Sequence, residues 1–166
     1  MEKEYRYANE AEYREALQHP PSKGMIKERK LGGDRVTKYI PIHTQEAIAD
    51  MLFKEWNIID ESYVVIVNEV IATVKIQYLP DYPGADYMFC TGSGANVIQS
   101  KSGSKAEDFP IGKITNSLEY CLPAARSNAK SNALEELGNL FGRNVSRNVD
   151  NGYRIAIKKE EEKKDA

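Results

Sequence analysis

Apolar and polar residues alternate most regularly between Val70 and Tyr78, within the Val- and Ile-rich segment Ser62–Tyr78. Successive side chains of a β-strand point to opposite faces, so a period of two predicts strands with one buried and one wet face. The positions expected to face the core are Val70, Ala72, Val74, Ile76 and Tyr78. Asn68-Glu69 is expected to turn the chain between two strands. A further strand is predicted at Tyr87–Thr91, after a turn at Pro80–Gly84.

Two other segments show the spacing of one helical face. The first is Asn9–Gln18, with Asn9 as its N-cap and Pro20-Pro21 beyond its end. The second is predicted to begin at a Thr44 cap and to run through Trp56. Its apolar positions are Ala47, Ile48, Met51, Leu52 and Trp56. Both segments therefore predict helices that pack one face on the core.

Ser117–Phe141 predicts the longest helix, bent near Pro123 and closed by a Gly142 C-cap. An alanine recurs along it at every fourth residue: Ala125, Ala129 and Ala133. Small residues at this spacing let a helix lie close against a sheet, so the stripe is assigned to the core, as is Trp56. The glycines and serines of Gly92–Pro110 predict a long loop before this helix.

These elements predict an α+β fold with a β-β-β-α core, in which an antiparallel sheet packs against a long α-helix. The sheet comprises a basic β-hairpin and a β-meander. We divide the chain into an N-terminal helical segment at 1–22, one main domain at 23–157 and a charged, disordered tail at 158–166. Tyr153–Ile157 is predicted as a last strand.

The basic hairpin is the main departure from an otherwise ordinary charge distribution. Between Lys23 and Lys38 there are six cations and two anions, in a chain of net charge -2. The Gly32-Gly33-Asp34 turn divides this stretch into two strands. Tyr39 adds an aromatic ring to the same small surface. Phosphate backbones and unstacked bases bind such a combination. A merely solvated charged face and a Tyr39 packed on the sheet are the alternatives.

The bulk charge argues against nucleic-acid binding over the whole surface, because the sequence pI is about 5.8. Residues 39–100 carry two cations and eight anions, whereas residues 126–147 carry four cations and two anions. A protein with separate acidic and basic regions can still steer a polyanion. The charge pattern therefore favours a local basic site over a general one.

Catalytic and metal-binding patterns are largely absent from the sequence. His19 and His43 lack partners at ligand spacing, and the chain has no GxSxG or P-loop motif. Thr91-Gly92-Ser93-Gly94 resembles half of a phosphate-binding loop, or is a flexible turn after a strand. Cys90 and Cys121 are expected to be buried free thiols. We therefore expect no catalytic residue, no metal and no cofactor. We also expect that the protein is not an enzyme.

No apolar run is long enough to cross a bilayer, and the N-terminus does not have the pattern of a signal peptide. We therefore expect a cytoplasmic protein that does not bind membranes.

From Ile26 to Asn144, the chain resembles the Rad fifty-two superfamily of single-strand annealing proteins, which includes phage and bacterial recombination mediators. Arg29-Lys30-Leu31-Gly32-Gly33 with Val36–Ile40 is similar to the family's glycine-rich hairpin. Thr91-Gly92-Ser93-Gly94 is similar to its strand-end motif. Two further stretches resemble its long helix and the Phe-Gly-Asn-x-x-Gly ending: Ser117-Leu118-Glu119, and Asn132 to Gly142.

The resemblance implies a homo-oligomeric ring or filament that holds single-stranded DNA in a basic groove, with the bases facing outward. It implies annealing without ATP in homologous recombination and DNA repair. The setting would be a bacterial host or a phage-infected cell. A single-strand binding protein or a phage exonuclease would be candidate partners. Arg29 and Tyr39 match hairpin positions that the family links to DNA.

The chain departs from the family in its long helix, where Ser131, Asn132 and Glu135 replace basic residues of the eukaryotic members. Either neighbouring cations compensate, or Ser131 and Asn132 bind phosphate as neutral donors, or affinity is low. The predicted DNA-binding residues are Arg29, Lys30, Arg35, Lys38, Tyr39, Lys101, Lys105, Arg126, Lys130, Asn132 and Arg143. The alternative function is a non-enzymatic RNA- or duplex-binding module of similar β-β-β-α architecture.

Overall fold

Two antiparallel sheets and three α-helices make up the part of the chain that the computed structural model describes, residues 5–30, 35–103 and 112–145. The helices are α1 (Glu10–Gln18), α2 (Ile42–Leu52) and α3 (Ser117–Glu135). The strands are β1 (Lys27–Lys30), β2 (Val36–Tyr39), β3 (Phe53–Ile66), β4 (Glu69–Pro80) and β5 (Met88–Val97). Short 3-10 turns occupy Lys23–Met25 and Asn139–Phe141. The predicted α+β class is confirmed, and so is the packing of the meander β3-β4-β5 against the long helix. The predicted single sheet is corrected, because the hairpin β1-β2 forms a sheet of its own.

The larger sheet has the strand order β3-β4-β5, so β4 is its central strand. The predicted core positions of β4 are confirmed: Val70, Ala72, Val74 and Ile76 are fully buried, and Tyr78 is 4% exposed. A two-residue turn at Val67 and Asn68 joins β3 to β4, one residue earlier than the predicted Asn68-Glu69, because Glu69 already pairs with Ile66 as the first residue of β4. Val67 takes a left-handed φ of 53° there, which a β-branched residue rarely adopts.

Helix α3 packs closely on the sheet through its alanine stripe. Ala125, Ala129 and Ala133 have no exposed surface, which confirms their assignment to the core. Two glycines of β5 face the helix backbone. A Cβ atom at Gly92 would overlap backbone atoms of Ala129 and lie 2.8 Å from Ala133 Cα. A Cβ atom at Gly94 would meet Asn128 and Ala129 in the same way. The glycines are therefore needed for the close approach of helix and sheet.

That packing corrects the predicted loop at Gly92–Pro110. Strand β5 continues through Gly92 and Gly94 to Val97, and neither glycine has a positive φ. In the sequence alone, glycines at these positions favour a flexible loop. They are instead strand residues whose missing side chains make room for α3.

The second helix is also corrected. It begins at Ile42 after Pro41 and ends at Leu52, so Thr44 is an internal residue and not the cap. Trp56 lies in β3, paired with Tyr78, and packs against the core. Irregular pairing between Phe53 and Glu55 breaks the strand's alternation, which hides its period of two from the sequence. The Trp56 indole N–H donates to Asp50 Oδ1 at 2.7 Å.

Helix α1 agrees with its prediction, because the Asn9 side chain accepts a hydrogen bond from the Glu12 backbone at 3.1 Å. Tyr13 and Leu17 of this helix are buried in the same core as β4 and α3.

The long helix is shorter than predicted: α3 ends at Glu135, and Gly142 follows the 3-10 turn rather than the helix. Gly138 interrupts the helical pattern, where its backbone lies against Leu17 of α1. Phe141 is fully buried, with its carbonyl accepting a hydrogen bond from Gln45 at 2.7 Å. Cys90 and Cys121 are buried free thiols, as predicted. The predicted strand Tyr153–Ile157 and the tail at 158–166 lie outside the described residues.

Candidate nucleic-acid interface

The hairpin formed by β1 and β2 is a separate two-stranded sheet. Its register pairs Lys27 with Tyr39 and Arg29 with Thr37. Directly paired residues of an antiparallel sheet share a face. Lys27, Arg29, Thr37 and Tyr39 therefore form one face, which we call the aromatic face. Glu28, Lys30, Val36 and Lys38 form the other, which we call the opposite face.

The aromatic face combines a cation and a ring in direct contact. Arg29 Cζ lies 5.5 Å from the centroid of the Tyr39 ring, within the range of a cation–π interaction. The Arg29 side chain is exposed and Tyr39 is half-buried. No carboxylate among the described residues pairs with Arg29 or Lys27. This face therefore presents two positive charges and an aromatic ring to solvent.

The opposite face is less favourable to an anion, because it carries a carboxylate. Lys38 Nζ lies 3.9 Å from Glu28 Oε1. Lys30 and Val36 complete the face, with Val36 half exposed. Four of the predicted residues, Arg29, Lys30, Lys38 and Tyr39, are thus brought together on one hairpin but divided between its faces. Arg35 is exposed just before β2, whereas the predicted Gly32-Gly33-Asp34 turn lies outside the described residues.

The base of the hairpin is anchored in the core next to the residues that follow α3. Ile40, directly after β2, is 2% exposed. A Cβ atom at Gly142 would lie 3.2 Å from Ile40 Cδ1, so these two residues are in close contact. Gly142 has a φ of 103°, which favours glycine at this position. The hairpin therefore projects exposed cations from a fixed base.

The predicted cations of α3 are held in ion pairs with the framework. Arg126 Nε lies 2.8 Å from Glu61 Oε2 on β3. Lys130 pairs with Glu46 of α2, and its side chain is only 15% exposed. Both cations therefore tie α3 to a neighbouring element.

Asn132 contributes to the same framework. Its side-chain amide donates to the Ser93 carbonyl at 2.6 Å, and Asn128, one turn earlier, donates to the Ala95 carbonyl at 3.1 Å. Carbonyls two residues apart on a strand point the same way, so these two amides cover one edge of β5. Ser131 Oγ donates to Glu135 at 3.4 Å.

The remaining predicted residues lie at the ends of the helix region. Arg143 donates from Nε to the Glu135 carbonyl at 3.2 Å and from Nη2 to the Glu136 carbonyl. It thereby satisfies the carbonyls that the end of α3 leaves without helical partners. Lys101 is exposed, and its backbone N–H donates to the Gly112 carbonyl at 2.7 Å. Lys105 lies outside the described residues.

Two features of the surface were missed by the sequence prediction. Lys27 shares the aromatic face with Arg29, a position that the spacing of two along β1 could have identified. Lys75 Nζ lies 4.9 Å from the centroid of the Phe89 ring, and Phe89 is half exposed. These residues come from different strands, so only the pairing of β4 with β5 brings them together.

Comparison with protein-family models and with curated proteins finds no match to this chain. Within the described ranges, no group of three His, Cys, Asp or Glu side chains is placed to hold a metal ion. None of the described helices is long and apolar enough to cross a membrane. The hairpin is therefore the feature of the described residues that points to a function.

Proposed function

We propose that the protein binds single-stranded DNA through the hairpin and anneals complementary strands without ATP, as a homo-oligomer. The observation that carries the proposal is the contact of Arg29 with Tyr39 beside Lys27, on an exposed strand face. The guanidinium and ammonium groups supply charge-assisted hydrogen bonds to phosphate oxygens. The ring supplies a surface on which a base can stack without regard to its sequence.

The proposal assigns the helix cations a smaller role than the hairpin cations. Lys130, Arg126 and Arg143 already have partners within the fold. A phosphate would have to compete with those partners. Lys27 and Arg29 form no ion pair with a carboxylate among the described residues, so a phosphate would meet no such competition there. The Asn132 amide likewise already donates a hydrogen bond to β5, so DNA would have to compete for it. Direct contacts from these helix residues stay a prediction.

Annealing follows from binding when the backbone is held and the bases remain accessible. Neutralised phosphates reduce the repulsion between two incoming strands. Several hairpins in one assembly raise the local concentration of both strands. Neither effect requires nucleotide hydrolysis, which agrees with the absence of a P-loop motif in the sequence.

A homo-oligomer is part of the proposal because one hairpin is short. Strand β1 has four residues, which at a rise of about 3.3 Å each extend for about 13 Å. Repetition around a symmetry axis would extend the basic surface. The outer edge of β3 is unpaired in the described fold, and the end of that strand exposes Val64, Val65 and Ile66. A second copy that covers this edge would remove apolar surface from water.

The same proposal places the protein in recombination and repair, in the cytoplasm of a bacterium or a phage-infected cell. A single-strand binding protein or a phage exonuclease would then be candidate partners.

Two labelled complementary oligonucleotides test the proposal. Their rate of pairing is measured in EDTA and without nucleotide, while light scattering follows the assembly state of the protein. We expect faster pairing and an assembly larger than a monomer. A protein that coats the strands and slows their pairing would contradict annealing, and a monomer at every concentration would contradict the oligomer. Tighter binding to RNA or to duplex than to single-stranded DNA would favour the alternative module.

A further inference from the structure

A cavity of about 450 Å³ lies between α1, the end of β4 and the residues that follow α3. It is separate from the aromatic face of the hairpin, because none of its lining residues belongs to β1 or β2. Its aromatic wall consists of Tyr13, Tyr78 and Tyr82, and its charged wall of Glu10, Arg14 and Glu136. Its size is that of a small-molecule site.

The aromatic wall is fixed by the core. Tyr13 is 3% exposed, and its ring centroid lies 5.5 Å from that of Tyr82. Tyr78 belongs to β4 and is 4% exposed. The Tyr13 hydroxyl is buried without a hydrogen-bond partner in the described fold. A buried hydroxyl in this state is costly to the fold.

The phenol groups of Tyr13 and Tyr78 stay uncharged. Burial raises the pKa of Tyr13 far above its usual range and raises the pKa of Tyr78 to about 12. Neutral phenols keep both a donor and an acceptor for hydrogen bonding. Their rings present electron-rich faces, which attract cations.

The charged wall has an excess of negative charge. Arg14 is already engaged with Glu10, at 2.6 Å between Nη2 and Oε1. No cation among the described residues pairs with the Glu136 carboxylate. The charge of Glu136 adds to burial in raising the pKa of the Cys90 thiol to about 12. A carboxylate beside aromatic rings, with no ion pair in the described part of the chain, disfavours an anionic ligand and favours a cation.

We propose that this cavity binds an organic cation, a primary ammonium group on an aliphatic stem. The ammonium would contact Glu136 and the faces of the tyrosine rings, while the stem packs against the apolar part of the wall, which includes Leu17 and Leu137. The cavity and the hairpin share no residue, so this proposal does not rest on the proposed function.

Two sources supply such a group: a free polyamine and a lysine side chain of a partner protein. Isothermal titration of the full chain with spermidine tests the first. Titration with the peptide acetyl-Gly-Lys-Gly-amide tests the second. The same peptide with norleucine in place of lysine is the matched probe, because it keeps the stem and removes the charge.

We expect saturable binding of spermidine or of the lysine peptide, and none of the norleucine peptide. Glu136→Gln should weaken binding about tenfold, as expected for one charge-assisted contact. Glu119→Gln removes an exposed carboxylate elsewhere on α3 and should leave binding unchanged. Tyr13→Phe keeps the ring and removes only the buried hydroxyl, so it should leave binding unchanged.

Any of three results would overturn the proposal. The first is that neither spermidine nor the lysine peptide binds. The second is that the norleucine peptide binds as tightly as the lysine peptide, and the third is that Glu119→Gln weakens binding as much as Glu136→Gln. The last result would mean that the cations respond only to the overall acidic charge. None of these results depends on whether the hairpin binds DNA.

Discussion

The hairpin and helix α3 carry similar polar and charged side chains, but those side chains have different partners. On α3, Arg126 and Lys130 each meet a carboxylate of another element, and Asn132 meets a strand carbonyl. On the aromatic face of the hairpin, Lys27 and Arg29 meet no carboxylate in the described fold. A cation with an internal partner joins elements of the framework, whereas a cation without one remains available to a polyanion. Partners, rather than residue type, distinguish the two regions.

The largest effect on stability is expected where α3 packs most closely on β5. Gly92→Ala places a Cβ atom into the backbone of α3, so helix and sheet must separate. We expect a loss of about 3 kcal/mol in the free energy of unfolding, at the upper end for overpacked sites. Thermal or urea denaturation measures it. Gly24→Ala is the control, since nothing lies within 4 Å of its added Cβ atom. Equal stability of the two variants would contradict the close packing of α3 on β5.

A smaller effect is expected from the ion pair between α2 and α3. Lys130→Ala leaves the Glu46 carboxylate without its cation in a half-buried position. We expect a loss of about 1.5 kcal/mol in the free energy of unfolding, as for a hydrogen bond to a charged group. A double-mutant cycle with Glu46→Ala isolates the coupling between the two side chains. Additive losses in that cycle would show that Lys130 has no structural partner in Glu46 and would return it to the candidate DNA contacts.

The hairpin should respond in the reverse way, with changed binding and unchanged stability. Arg29→Ala removes an exposed side chain held over Tyr39. We expect about 1 kcal/mol weaker binding of single-stranded DNA, as for one charge-assisted contact, and no change in the unfolding transition. Fluorescence anisotropy measures the binding. Lys23→Ala removes an exposed cation outside the hairpin strands and serves as the control. Equal weakening by both variants would remove the special role of Arg29.

The sequence predicts the β4 core and the alanine stripe well, because each depends on one regular period. It mispredicts Gly92–Val97 as a loop, because the reason for those glycines is the backbone of α3, far away in sequence. It extends the second helix to Trp56, because irregular pairing hides the start of β3. At the candidate interface it predicts a basic hairpin, but pairing within the hairpin is needed to separate Lys30 and Lys38 from Arg29 and Tyr39.

The most direct test of the central claim compares the two faces of the hairpin at equal loss of charge. Lys27→Ala/Arg29→Ala removes both cations of the aromatic face, and Lys30→Ala/Lys38→Ala removes two from the opposite face. The measurement is the slope of the logarithm of the affinity for single-stranded DNA against the logarithm of the salt concentration.

Four neutralised phosphates imply a wild-type slope of roughly -3, at about -0.7 for each phosphate on a single strand. The account predicts that the aromatic-face variant makes this slope less steep by about 1.4, the loss of two phosphate contacts. The opposite-face variant should change the slope clearly less, because Lys38 already lies beside Glu28. Equal changes in the two variants, or a wild-type affinity that does not depend on salt, would contradict the account.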